Sequence, residues 1–220
     1  MKELDNMYDE WIEKLNNKYG DGIFFLEVGA MDGIQHDPLY KHIIKNNWSG
    51  IRVEPVKDMF TRLQANYANK NKLKFENSAI TDKNSKTLIY RIPIEKVNNE
   101  CPYWADGIST INPESSIISQ YDVLKNNTVT EEINTITIEN LVQKYNISNI
   151  DILQIDTEGY DKFIFNEIWN YGFRPRIIRI EIVYMTKEEL VRVLELLTND
   201  GYIINCDSQD ITAIAKEELN

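Results

Sequence analysis

Phe24-Phe25-Leu26-Glu27-Val28-Gly29-Ala30-Met31-Asp32-Gly33 decides the fold class of this chain. An apolar run ends around an acid, and two glycines four positions apart follow it. Such a run, closed by glycine, reads as a buried strand feeding a tight turn. Glycine has no side chain to hold a ligand away from the backbone. The next apolar segment, Gly50-Ile51-Arg52-Val53-Glu54-Pro55, also ends in an acid, Glu54. Glu54 stands 27 positions after Glu27, which suits one strand–helix–strand unit. An acid at the end of the second strand commonly grips ribose hydroxyls, so the pair predicts a nucleoside-containing cofactor.

Outward from this unit, strands and helices alternate. The stripe Leu4, Met7, Trp11, Leu15 predicts an amphipathic helix over 3–18, and a second helix is expected over 38–46. Met59, Phe60, Leu63 and Tyr67 supply the buried face of a third, followed by a strand near 72–76. Residues 86–92 and 129–136 have strand-like content around a long irregular segment, 93–128. A loop of that length inside a compact domain usually carries function, and here it is expected to be an acceptor-side insertion or lid. Thr137 is placed to cap a helix to about Tyr145; Ile150–Ile155 is a buried strand ending at Asp156, with a helix beginning near Tyr160. Ile177–Glu181 is the next strand, and Thr186-Lys187-Glu188-Glu189 fits a capping box. Strands near 202–206 and 211–215, joined by Asp207-Ser208-Gln209-Asp210, predict an antiparallel hairpin. This is the α/β pattern of a class I methyltransferase-like fold: a mostly parallel, Rossmann-like sheet of seven strands, helices on both faces and a C-terminal antiparallel hairpin. One domain over 1–220 is expected.

The 220 residues carry 24 Lys and Arg against 35 Asp and Glu, a net charge of −11. That balance argues against nucleic acid or an anionic membrane as partner, since both need clustered cations. No apolar run approaches the length of a membrane span. Met1-Lys2-Glu3-Leu4-Asp5 is too polar for a signal peptide, and Cys101 and Cys206 suggest no disulfide framework. A cytoplasmic setting is expected.

A dinucleotide requires a pyrophosphate cradle, Gly-x-Gly-x-x-Gly at a helix N-terminus. This chain has Gly-x-x-x-Gly and lacks a Walker lysine after it. S-adenosylmethionine carries a sulfonium and an ammonium instead, so acidic neighbours favour it. Glu27, Asp32, Glu54 and Asp156 would all fall at strand ends or in adjoining turns, where an open parallel sheet binds ligands.

With these elements in place, the chain resembles the FkbM family of S-adenosylmethionine-dependent methyltransferases. The resemblance rests on Leu26–Gly33, on Trp48-Ser49-Gly50-Ile51-Arg52-Val53-Glu54-Pro55, on Asn77-Ser78-Ala79-Ile80-Thr81-Asp82 and on Ile150–Asp161 with its Ile155-Asp156-Thr157-Glu158-Gly159 element. It covers about residues 22–215, with Gly107-Ile108-Ser109-Thr110 as a further match. Gln154 stands where relatives often carry lysine. The resemblance implies O-methylation of a hydroxyl on a sugar, a glycan or a related small metabolite. It implies that Gly29 and its neighbours Ala30 and Gly33 line the methionine part of the cofactor, that Glu54 with Pro55 binds ribose, that Ser78 and Ala79 lie near adenine, and that Asp156 sits beside the reacting methyl.

Methyl transfer to oxygen is an in-line displacement that needs alignment above all. An alcohol also benefits from a general base or a metal. Asp156 is the first candidate for either role, Glu158 and Glu181 the next, and together they offer oxygen ligands suited to Mg2+. His36 is a candidate base, Asp37 a candidate helix cap, and His42 is expected at the surface. Tyr103 and Trp104 could stack on an acceptor ring. Two rival functions stay open: an NAD-dependent nucleotide-sugar oxidoreductase or epimerase, which would want a Tyr-x-x-x-Lys pair, and a catalytically silent nucleoside-binding protein.

Overall fold

A computed structural model describes residues 2–105 and 107–219, and the side chain of Leu4 lies outside the described residues. The helix α1 (Lys2–Tyr19) leads into β1 (Phe24–Val28). Then follow α2 (Tyr40–Lys45), β2 (Ser49–Val53), α3 (Lys57–Asn66) and β3 (Leu73–Glu76). After an interlude come α5 (Ile138–Tyr145), β8 (Ile152–Ile155), α6 (Asp161–Asn170), β9 (Ile177–Glu181), α7 (Lys187–Asn199), β10 (Tyr202–Cys206) and β11 (Asp210–Ala215). The interlude holds β4 (Ala79–Ile80), β5 (Lys86–Arg91), β6 (Ser109–Thr110), α4 (Asp122–Asn127) and β7 (Val129–Ile136).

The seven-stranded sheet runs β10-β11-β9-β8-β1-β2-β3. From β9 to β3 the strands are parallel, and β11 is antiparallel to both of its neighbours. The expected hairpin is present, with its last strand seated inside the sheet and β10 on the edge. Thr186 and Glu189 form the capping box that starts α7, and the Thr137 hydroxyl accepts from the Asn140 N–H at the start of α5.

Strand alternation sends side chains to two cores. Leu26, Val28, Ile51, Val53, Leu153, Ile155, Ile178 and Ile180 pack with α5, α6 and α7. Phe25, Ile152, Ile177 and Ile214 pack on the other face with Tyr8, Trp11, Ile12 and Leu15 of α1 and with Leu63 of α3. On that second face the register sets a polar row across the sheet: Arg52 beside Glu27, Glu27 beside Gln154, Gln154 beside Arg179 and Arg179 beside Thr212.

His42 is buried rather than at the surface. Its ring stacks on Trp48 and bonds Asp9 of α1 at 2.8 Å. A six-residue helix such as α2 shows too little periodicity to reveal that its polar member faces inward.

The interlude builds a second, four-stranded sheet, β4-β7-β5-β6. The irregular segment inside it is ordered by short 3-10 turns around its own core of Ile92, Val97, Cys101, Ala105, Ile108, Ile118 and Leu124. No described helix is long and apolar enough to cross a membrane.

Candidate active site

The turn after β1 is held from three sides. Gly29 has φ +84°, and a Cβ there would lie 1.7 Å from the Asp156 carbonyl oxygen, so the position admits only glycine. The N–H groups of Gly29 and Ala30 donate to the Val53 carbonyl, and that of Met31 to Glu54 Oε2 at 2.9 Å. Glu54 Oε1 accepts from the Val56 N–H at 2.7 Å. Asp32 turns back on its own loop, accepting from the N–H groups of Ile34 and Gln35. Gly33, at φ +75°, is packed against Arg52, Leu63 and Tyr67, and its carbonyl accepts from the Tyr67 hydroxyl.

Glu27 is buried and turned to protein partners. Its carboxylate pairs with the fully buried Arg52 at 2.6 Å, and Arg52 also pairs with Asp37. Gln154 donates to both acids, and the Tyr8 hydroxyl donates to Gln154. Burial and the charge of Asp37 push the Glu27 carboxyl upward, and Arg52 opposes that rise. Asp37 also accepts from the Leu39 N–H, a bond within the turn; α2 begins at Tyr40 with Leu39 at its N-cap and no side-chain cap, so Asp37 is not the helix cap expected of it.

A cavity of about 860 Å³ opens at the C-terminal ends of β1, β2 and β8. Gly29, Glu54, Pro55, Ser78 and Ala79 line one part of it, and Asp156, Glu158 and Glu181 another. His36 reaches the wall from an exposed position at φ +56°. Glu27, Ala30, Asp32 and Gly33 stand behind the wall and shape it. From the interlude, Trp104 and Gly107–Ile111 cover the cavity, with Trp104 edge-on to Tyr121 at 5.3 Å. Tyr103 is 75% exposed and lies outside the lining. Among the described residues the lining has seven acids against Lys41, Arg179 and His36.

Asp156, Glu158 and Glu181 each place a carboxylate oxygen within 4.8 Å of the others. Burial raises all three pKa values, and repulsion from neighbouring acids adds to the rise. Asp156 is open to the cavity yet enclosed by protein on its other sides, which is why its carboxyl feels burial. Glu158 sits at φ +55°; its Oε2 accepts from the Tyr184 hydroxyl at 2.7 Å, and its carbonyl accepts from Thr110 of the cover at 2.9 Å. Glu181 Oε2 is buried with no hydrogen-bond partner among the described residues. Asp161 closes the loop by accepting from the N–H groups of Thr157 and Gly159. Burial also holds Glu54 up at about 7, against the two backbone N–H groups that favour its charge.

Sequence reasoning passed over Tyr184 and treated Arg52 only as part of a motif. Tyr184 follows a strand end by three residues, and that spacing was the one available signal.

Sheet order, the single reversed strand and a cavity at the parallel strand ends define the class: a class I methyltransferase-like α/β fold. The Methyltransferase FkbM domain matches residues 27–204, and the chain belongs to that family. The FkbM methyltransferase of Methylobacillus flagellatus superposes with a TM-score of 0.51 at 12% identity, over 89% of this chain and 44% of that one. This chain thus spans less than half the length of that relative. The O-methyltransferase of Bacillus cereus in complex with SAH is similar at TM-score 0.45 and 13% identity, over 96% of this chain and 81% of that one. Fibrillarin of Aeropyrum pernix with S-adenosyl-L-methionine gives 0.45 and 12%, over 89% and 68%. No curated protein matches the sequence.

Proposed function

We propose that this protein is an O-methyltransferase that takes S-adenosylmethionine in the cavity of about 860 Å³ and methylates a hydroxyl of a carbohydrate-type or related small molecule. The observation that carries this reading is the acid-dominated lining, seven acids against Lys41, Arg179 and His36, around a glycine turn without a pyrophosphate cradle. A cationic ligand gains from that field and a pyrophosphate loses.

The residues fit the cofactor. Each Glu54 oxygen keeps a lone pair beyond its backbone bond, enough to accept a ribose hydroxyl. The missing Cβ at Gly29 lets the Asp156 backbone pack against the turn, and Gly29 lines the part of the cavity assigned to the methionine moiety, with Ser78 and Ala79 assigned to the adenine end. When bound, S-adenosylmethionine supplies a methyl group on positive sulfur. Asp156 holds the acceptor oxygen in line and takes its proton, with Glu158 and Glu181 as the nearest further carriers. The same three carboxylates would hold a divalent cation such as Mg2+, which prefers oxygen ligands. The segment 93–128 serves as an acceptor-side cover within a single catalytic unit.

Calorimetric titration with S-adenosylmethionine and with NAD tests the reading. Binding of the first alone is expected; tight binding of NAD, or none of S-adenosylmethionine, would sink it. Turnover measured with and without chelator then tests the cation, and unchanged turnover removes it.

A further inference from the structure

Beside the larger cavity lies a second one of about 320 Å³. Both are lined by Tyr160 and Glu181, so these two side chains form the partition. We propose that the smaller cavity is the seat of the methyl acceptor and that it takes a polyhydroxylated ring. The proposal rests on S-adenosylmethionine occupying the larger cavity.

In-line transfer fixes the direction of approach. The acceptor oxygen must reach the methyl carbon from the side opposite the sulfur. Along the sheet edge Glu54 follows β2, Gly29 follows β1, Asp156 follows β8 and Glu181 ends β9, in that order, so a nucleoside at Glu54 with its methyl at Asp156 points the line of transfer toward Glu181. The smaller cavity lies there, between α6 and the segment after β9.

Its chemistry suits a sugar ring. Tyr160 and Phe163, with ring centres 4.9 Å apart, offer apolar surface to C–H faces. Asn112 and Asn166 offer amides, and Glu181 a carboxylate whose buried Oε2 has no partner among the described residues. Amides both donate and accept, as hydroxyls do, and a buried acceptor without a partner asks for a donor. Tyr184, fixed on Glu158, forms another wall, and the Lys162–Glu189 ion pair lies at the side. The volume is at the small end of the range for ligand sites, of order 300–1,000 Å³, and fits one ring rather than a second nucleotide.

Saturation-transfer NMR on the full chain with excess S-adenosylhomocysteine provides the test. The probes are methyl glycosides of glucose, galactose, mannose, fucose and rhamnose. At least one should receive saturation in the wild type and in Tyr103→Ala. Asn166→Trp, which fills the cavity from a half-buried position, should cut the signal at least tenfold, and Asn166→Ala at least threefold. S-adenosylhomocysteine affinity, measured by calorimetry, should stay within twofold in every variant, which also verifies folding. Signal that survives Asn166→Trp, or that vanishes only in Tyr103→Ala, overturns the location. No saturation of any glycoside overturns the ligand class. Failure of the wild type to bind S-adenosylhomocysteine is a different result: it removes the cofactor reading first, and this one with it.

Discussion

Replacing Glu54 with glutamine should remove a loss of stability that sets in as pH rises, while weakening cofactor binding. The carboxyl is buried, and its pKa is raised from 4.5 to about 7 because burial and the charges of Asp58 and Glu131 outweigh the two backbone bonds. A carboxyl with a raised folded pKa holds its proton more tightly in the native state. Wild-type stability should therefore fall as pH rises from 4.5 through 7, and level off above. The interval corresponds to about 3 kcal/mol at roughly 1.4 kcal/mol per pH unit. Glutamine has no charge to bury, but its NH2 faces one of the two backbone N–H groups that Glu54 accepts and leaves that donor unpaired, a constant penalty of about 1–3 kcal/mol. Relative to the wild type the variant should be lowered by that penalty at both pH values, yet gain about 2.5 kcal/mol between pH 5 and pH 8. Other titrating groups are common to both proteins and cancel in this difference. The same variant loses a charge-assisted acceptor for ribose, worth about 1.5–3 kcal/mol, or about tenfold to a hundredfold in affinity. Urea unfolding of both proteins at the two pH values, with calorimetric titration of S-adenosylmethionine, measures both effects. A stability difference that does not grow between pH 5 and pH 8 would refute the burial argument. Unchanged affinity would remove Glu54 from the ribose site.

Gly29→Ala forces a Cβ onto the Asp156 carbonyl at a positive φ, so it should cost about 3 kcal/mol or more and abolish cofactor binding; urea unfolding and calorimetry report each. Arg52→Met strands the buried carboxylates of Glu27 and Asp37 and should cost about 3–5 kcal/mol. Adding Glu27→Gln to Arg52→Met should restore part of that loss, and a double variant no more stable than the single would disprove the pairing.

The sites that could be read ahead lie where local chemistry and position coincide. Gly29 and Glu54 follow apolar strands directly, and the capping box at Thr186 is a four-residue signature. Fold class followed from the alternation of elements and the polar turn at 207–210. The placement of β11 inside the sheet was not legible, because a hairpin pattern does not say which of its strands pairs with β9. The second sheet escaped notice because β4 and β6 have two residues each, too few for any period. Glu27 misled for a different reason. An acid beside a glycine turn suggests a ligand, and only the parallel register shows Arg52 next to it with no exposure. The sequence of Arg52, between Ile51 and Val53, gives no hint that its charge is satisfied internally.

The polar row across the sheet also has a bearing on assembly of the chain. Apolar strands rich in isoleucine and valine can slide past one another at little cost, since one branched side chain replaces another. Shifting β2 by one position would turn Arg52 to the opposite face, into the core built on Ile51 and Val53. Shifting it by two would set Gly50 or Glu54 beside Glu27 and leave the guanidinium without its acid. Either misalignment buries an uncompensated charge. Arg52, Glu27 and Gln154 thus work as the teeth of a key: they allow β8, β1 and β2 to engage in one alignment, the one that brings Gly29, Glu54 and Asp156 to the same edge.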